Sequence, residues 1–115
     1  MYSFGDIVLV RFPFTNLESS KKRPGLVLAR IDFSTSVQLY IIAMITSKMD
    51  TVKLKGDIKV KLWKEAGLLH PSLVRLSKIA TLESEIIEKK MGHFRKEDLV
   101  SIKLNFGRIF KELVS

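Results

Sequence analysis

The residues best suited to chemistry gather around a short cationic segment, Lys21-Lys22-Arg23-Pro24, which closes a polar loop and opens an apolar run. Pro24 biases Arg23 toward extended backbone, so the arginine is held at the mouth of a strand, at the base of a loop able to arch over a groove. A guanidinium offers a planar fork of donors that matches phosphate or carboxylate oxygens better than an ammonium does. The loop, residues 12–22, mixes Phe12 and Phe14 with Lys21 and Lys22. Such a mixture can stack bases and hold the backbone phosphates of a single strand, although Phe12 also reads as a core anchor. Arginine is a poor base, so any proton transfer needs another group. Glu18 in the loop and His70 are the candidates, imidazole being suited to that task near neutrality. The plainer readings are a solvated loop glutamate and a turn residue before Pro71. His93, just after Gly92, reads as a capping or surface residue.

These groups need a scaffold, and the apolar runs supply one. Residues 6–12, 26–31 and 37–45 are near-continuous and rich in Val and Ile, the pattern of buried strands. Thr46-Ser47 closes the third. Pro24 cannot donate a ladder hydrogen bond and suits the first residue of a strand. From Val52 to Leu62 apolar residues alternate with Lys53, Lys55, Asp57, Lys59 and Lys61, which predicts a strand or hairpin with a basic face and a bulge or turn at Gly56-Asp57. A short helical piece at Trp63–Ala66 ends on Gly67, and strands are expected at 72–76 and 79–82. Glu85, Lys89-Lys90 and Gly92 are ordered as a short helix over 84–90 would have them. Leu99, Ile102, Phe106, Ile109, Phe110 and Leu113 recur at helical spacing behind Lys96-Glu97-Asp98, which predicts a C-terminal helix. Five or six short strands with helices point to a small β-barrel.

Composition narrows the function classes. The 115 residues fit one domain, 1–115, and the 46% apolar and 28% charged fractions are those of a globular chain. With no cysteine, disulfides, thiolate metal sites and a cysteine nucleophile are excluded. The two histidines are far apart and no acidic cluster is present to hold Mg²⁺, so no metal or cofactor is expected. The longest apolar run, residues 40–45, falls far short of the ~20 residues a membrane span needs, and no basic leader precedes it, so a cytoplasmic protein is expected. A net charge of +8 attracts RNA, DNA or acidic peptides, and also serves solubility.

The segment from Gly5 to Thr15, the Lys22-Arg23-Pro24-Gly25 strand opening, Ala43-Met44-Ile45-Thr46-Ser47, and the blocks Gly67–Leu76 and Ile79–Leu82 together resemble, in order and spacing, the MazF/PemK family of toxins from bacterial toxin–antitoxin pairs. The resemblance covers most of residues 5–94. It implies an SH3-like barrel with a C-terminal helix and a metal-independent, sequence-selective endoribonuclease acting on single-stranded RNA such as messenger RNA. In that chemistry the 2′-hydroxyl attacks the adjacent phosphate, leaving 2′,3′-cyclic phosphate and 5′-hydroxyl ends. The resemblance assigns Arg23 and Thr46 to the active site, donating to the phosphoryl oxygens as charge builds there. Lys21, Lys22, Ser47, Arg75, Ser77 and Glu18 are then candidates for substrate binding.

Thr46 and Ser47 point to opposite sides of extended backbone, so they are not expected to serve one atom together; the plain reading of Thr46 is a strand-end hydroxyl bonding its own backbone. The chain departs from one branch of the family in carrying Ser77 where an aspartate stands and Leu17 where a loop histidine stands, so the acid–base roles of that branch do not transfer. The plain reading of Arg75 is a surface arginine on a strand. The resemblance also implies a homodimer and a cognate antitoxin whose acidic segment occupies the RNA groove. The other class that fits is a non-catalytic toxin, or a nucleic-acid- or protein-binding module, on the same barrel, as in gyrase-poisoning toxins.

Overall fold

The computed structural model describes residues 1–11, 21–49 and 53–114. Six strands, β1 (Asp6–Val10), β2 (Arg23–Asp32), β3 (Gln38–Thr46), β4 (Asp57–Lys59), β5 (Leu73–Glu83) and β6 (Lys89–His93), form one sheet in the order β4-β5-β3-β2-β1-β6. Every neighbouring pair is antiparallel. A one-turn helix, α1 (Trp63–Ala66), precedes β5, and α2 (Lys96–Ile109) with α3 (Lys111–Val114) follow β6. This is the mainly β architecture with a C-terminal helix that the sequence predicts. The edge strands β4 and β6 do not pair among the described residues, so hydrogen bonds do not close the sheet into a ring.

The continuous apolar runs are explained by burial on both faces of the sheet. Ile7, Leu26, Ala43, Ile45 and Val74 face a cluster completed by Ala66, Leu68, Phe94 and Ile102. The alternate residues Val8, Val10, Val27, Ile42 and Met44 face a second cluster completed by Tyr40, Leu82 and Ile87. Side chains alternate along a strand, so strands buried on both faces lose the apolar–polar alternation of half-exposed ones.

Three register shifts break the ladders: between Ile7 and Val8 against β6, between Val27 and Ala29 against β3, and between Ala43 and Met44 against β5. The last loops out Leu76, Ser77 and Lys78, since Ala43 pairs with Ile79 and Met44 with Arg75. The two strands expected at 72–76 and 79–82 are therefore one bulged strand, its irregular stretch held by Leu76 N–H donating to Gly56 O at 3.1 Å. Bulges of this kind bend and twist the strand that carries them.

Local signals were overruled in two further places. The helix expected over 84–90 is a single 3₁₀ turn at Ser84–Ile86, after which Lys89–His93 pairs along β1. A helix that short is marginal alone, whereas the strand satisfies the backbone along the β1 edge. Gly92 is thus no helix stop; a Cβ there would lie 1.9 Å from the Ala66 carbonyl oxygen, so glycine lets β6 pass close to α1. The alternating segment 52–62 yields only β4, with Gly56 in a turn at φ +93°, and Val52 lies outside the described residues. Asp57 shares a face with Lys59, and its carboxylate is paired by Arg75, its register partner on β5.

Candidate active site

The register of β2 and β3 brings the two most chemically apt residues together. Gly25 pairs with Met44; continuing that register two residues places Arg23 across from Thr46, which pairs on its other side with Leu73. Both line a cavity of about 270 Å³ at this end of the sheet, with Lys22, Ser47, His70 and Ser72. Leu9, Ile45, Leu68 and Met91 give it apolar walls. A larger cavity of about 640 Å³ lies between the sheet and α2, but Phe4, Leu28, Ile41, Ile79 and Phe106 make it almost wholly apolar and Lys103 is its one charged group. The smaller cavity is the one lined by the predicted residues Lys22, Arg23, Thr46 and Ser47.

Arg23 is half-buried, and its Nε has no exposure and no hydrogen-bond partner among the described residues. Leaving a buried donor unsatisfied costs about 1–3 kcal/mol, more for a charged group, so this atom is primed for an acceptor. Thr46 is 7% exposed. Its Oγ1 accepts from Lys48 N–H at 3.2 Å, which is the backbone bond of the plain reading. That bond uses a lone pair and leaves the hydroxyl proton free to donate. A guanidinium edge and a hydroxyl side by side form a donor pair suited to an oxyanion.

The remaining predicted residues divide. Lys22 lines the cavity and its Nζ is ion-paired to Glu88; with both side chains over a third exposed, the pair is weak and Lys22 can exchange to another anion. Ser47 is exposed at the cavity rim, and Lys21 is exposed one residue before Lys22. Glu18, with Leu17, Phe12 and Phe14, lies outside the described residues. Ser77 is exposed within the bulge of β5 and does not line the cavity.

Arg75 does not line it either. Its Nε and Nη2 donate to Oδ1 and Oδ2 of Asp57, each at 2.9 Å, in a fork with side-chain exposures of 12% and 1%. Burial alone would push the Asp57 carboxyl up. The hydrogen bonds from Arg75 and from Leu54 N–H, with the charges of Arg75 and Lys53, outweigh it and hold the group below the usual carboxylate range. The bond to Asp57 raises Arg75 in turn. Arg75 is therefore a half-buried, paired residue rather than the surface arginine of the plain reading.

His93 does not cap a helix. Its Nδ1 lies 2.8 Å from Oδ1 of the buried Asp6, which also takes Lys90 Nζ at 3.2 Å and Ser3 N–H. Burial pushes the Asp6 carboxyl up, but the bonds from His93, Ser3 and Lys90 together hold it down. Sequence reasoning missed Asp57 and Glu88 as partners of Arg75 and Lys22. Their separations, 18 and 66 residues, leave no local signal. Ser72 was also missed, although the His-Pro-Ser order marked a turn whose last hydroxyl bonds back.

The sequence matches, over residues 3–110, the family described as PemK-like, MazF-like toxin of type II toxin–antitoxin systems. The fold is similar to that of Mycobacterium tuberculosis toxin MazF-mt6, with 20% identity, a TM-score of 0.69, and coverage of 92% of this chain and 96% of that one. It is also similar to an endoribonuclease in complex with its cognate antitoxin from Mycobacterial species, at 10% identity, TM-score 0.71, 94% and 93% coverage. MazF from Deinococcus radiodurans gives 18% identity, TM-score 0.68 and 96% coverage of both chains. At such identities the likeness carries the fold alone. Curated proteins give no sequence match.

Proposed function

The chain belongs to the PemK-like, MazF-like toxins of type II toxin–antitoxin systems, and from that premise we propose that it is an endoribonuclease that cuts single-stranded RNA at selected sequences without a metal ion. The 2′-hydroxyl oxygen attacks the adjacent phosphorus, the bond to the 5′-oxygen breaks, and the ends are a 2′,3′-cyclic phosphate and a 5′-hydroxyl. Charge accumulates on the non-bridging oxygens in the transition state, and fixed donors aimed there lower the barrier without reorganising. Arg23 and Thr46 are those donors, and the observation that carries the reading is the buried Nε of Arg23, unpaired among the described residues, in a residue that lines one cavity with Thr46.

Lys21, Lys22 and Ser47 at the rim hold the flanking phosphates, with the net charge of +8 drawing the strand in. Arg75, locked to Asp57 as a neutral ion pair, stiffens the strand that carries Leu73, the neighbour of Thr46. The protein acts as a homodimer on messenger RNA in the cytoplasm. A cognate antitoxin restrains it by laying an acidic segment over the same cationic groups, as basic surfaces favour; a solved relative of the same fold is in complex with its antitoxin.

The test is incubation with mixed single-stranded RNA in excess EDTA, beside Arg23→Ala, Arg23→Lys and a strand carrying 2′-deoxynucleotides, with end-group analysis. Discrete cuts ending in cyclic phosphate, abolished by Arg23→Ala and by 2′-deoxy substitution, are expected. Arg23→Lys should restore only part of the rate, since an ammonium lacks the fork. Folded protein that binds RNA but cuts none of a varied set would instead assign it to the non-catalytic toxins.

A further inference from the structure

We infer that His70 is the general base of this site. The inference rests on the ribonuclease reading above and supplies what that reading lacks, a group to take the proton from the attacking 2′-hydroxyl. Among the described residues the polar groups lining the cavity are few, and each can be asked whether it accepts a proton near neutrality. Arg23 cannot, because a guanidinium stays protonated. Lys22 is an ammonium paired with Glu88. The Ser72 hydroxyl donates to the His70 carbonyl at 2.8 Å in a buried position. Thr46 Oγ1 already accepts from Lys48 N–H, and an unassisted Ser47 hydroxyl is a poor base. His70 is the lining residue whose neutral side chain carries a basic lone pair.

Its placement is built rather than incidental. Pro71 fixes the backbone that follows, and the Ser72 hydroxyl bond to the His70 carbonyl closes the turn. The main chain of His70 is thereby set at the mouth of the cavity. The ring is exposed, and neither ring nitrogen makes a hydrogen bond among the described residues, so one is open to a substrate hydroxyl. Among the described residues, Lys22 and Arg23 are the charged groups that line the cavity with His70, and Glu88 reaches Lys22.

The step balances. The imidazole nitrogen takes the proton from O2′ as the O2′–P bond forms; the P–O5′ bond breaks and O5′ is protonated by water. The imidazolium then returns its proton to solvent.

The experiment measures single-turnover cleavage across pH for wild type, His70→Gln and His70→Ala with and without added imidazole. A parallel substrate carries sulfur in place of the 5′-oxygen at the cut. General-base loss typically slows reaction about 10²- to 10⁴-fold. His70→Gln should lose at least about 10²-fold and the limb of the pH profile on which wild-type rate rises with pH, and imidazole should restore part of the rate to His70→Ala. The defect should persist on the 5′-thio strand, whose leaving group needs no acid. Binding of a 2′-O-methyl RNA should stay within twofold of wild type. Wild-type cutting with an unchanged profile in His70→Gln overturns this inference and leaves the ribonuclease reading standing. A defect confined to the 5′-oxygen substrate makes His70 the acid and overturns it too. Wild type that binds RNA without cutting overturns both.

Discussion

Removing the Asp57 carboxylate should be the most damaging polar substitution in the described residues. Asp57→Ala deletes two charge-assisted bonds of 2.9 Å from Arg75 and one of 2.8 Å from Leu54 N–H. It removes the carboxylate that faces a guanidinium only 12% exposed. Breaking a fully buried pair by removing one partner costs about 3–5 kcal/mol, and this half-buried pair should fall at the lower end, still a large share of the ~5–15 kcal/mol by which domains are stable. With an m value of about 1.5 kcal/mol/M for a chain of this size, a loss of about 3 kcal/mol lowers the urea midpoint by about 2 M. Replacing both partners, as Asp57→Ala with Arg75→Met, removes the guanidinium as well as the carboxylate and should recover part of the loss, giving a coupling energy of about 2–3 kcal/mol.

The pH dependence has a definite sign. The folded-state carboxyl is held below its ordinary value of 3.8, so its stabilisation is fully present above that value and is lost as pH falls through the lower folded value. Wild type should weaken in acid from Asp57 and from Asp6, which is depressed in the same direction, and the double variant should lose the Asp57 part. Urea unfolding followed by circular dichroism at several pH values reads all of this. An Asp57→Ala loss under about 1 kcal/mol, or single effects that add without coupling, would match a solvent-screened surface pair and refute the reasoning.

Other outcomes follow from particular contacts. Gly92→Ala puts a Cβ against the Ala66 carbonyl oxygen, where neither backbone can yield easily; overpacking of about 1–3 kcal/mol or more should appear as a lowered melting temperature. Asp98, buried in the first turn of α2, accepts from Lys61 N–H and Leu62 N–H at 2.9 and 3.0 Å. Asp98→Ala should cost about 2–4 kcal/mol by leaving both donors unmet, with faster amide exchange at those two residues. Thr46→Val keeps shape while deleting the hydroxyl, so RNA cleavage should fall about 10²-fold with a much smaller change in melting temperature.

What the sequence determined by itself is what short-range pattern can encode. Val and Ile runs at 6–12, 26–31 and 37–45 marked β1, β2 and β3, and the 3.6-residue recurrence from Leu99 marked α2, because side-chain direction within one element depends only on its own backbone period. Arg23-Pro24 and Thr46-Ser47 were legible as strand ends, and the family blocks paired them before any register was known. The tertiary structure alone decided where strands slip and which distant groups meet. Lys89–His93 carries local marks of a helix end, yet it is a strand, since the open edge of β1 offers hydrogen bonds that no sequence window contains. The bulge at residues 76–78 was invisible for the same reason: it is a relation between β5 and β3. Arg75 found Asp57, His93 found Asp6 across 87 residues, and His70 came to lie beside Arg23 and Thr46. Such meetings are fixed by sheet register and by the turn from α1 into β5, not by spacing along the chain.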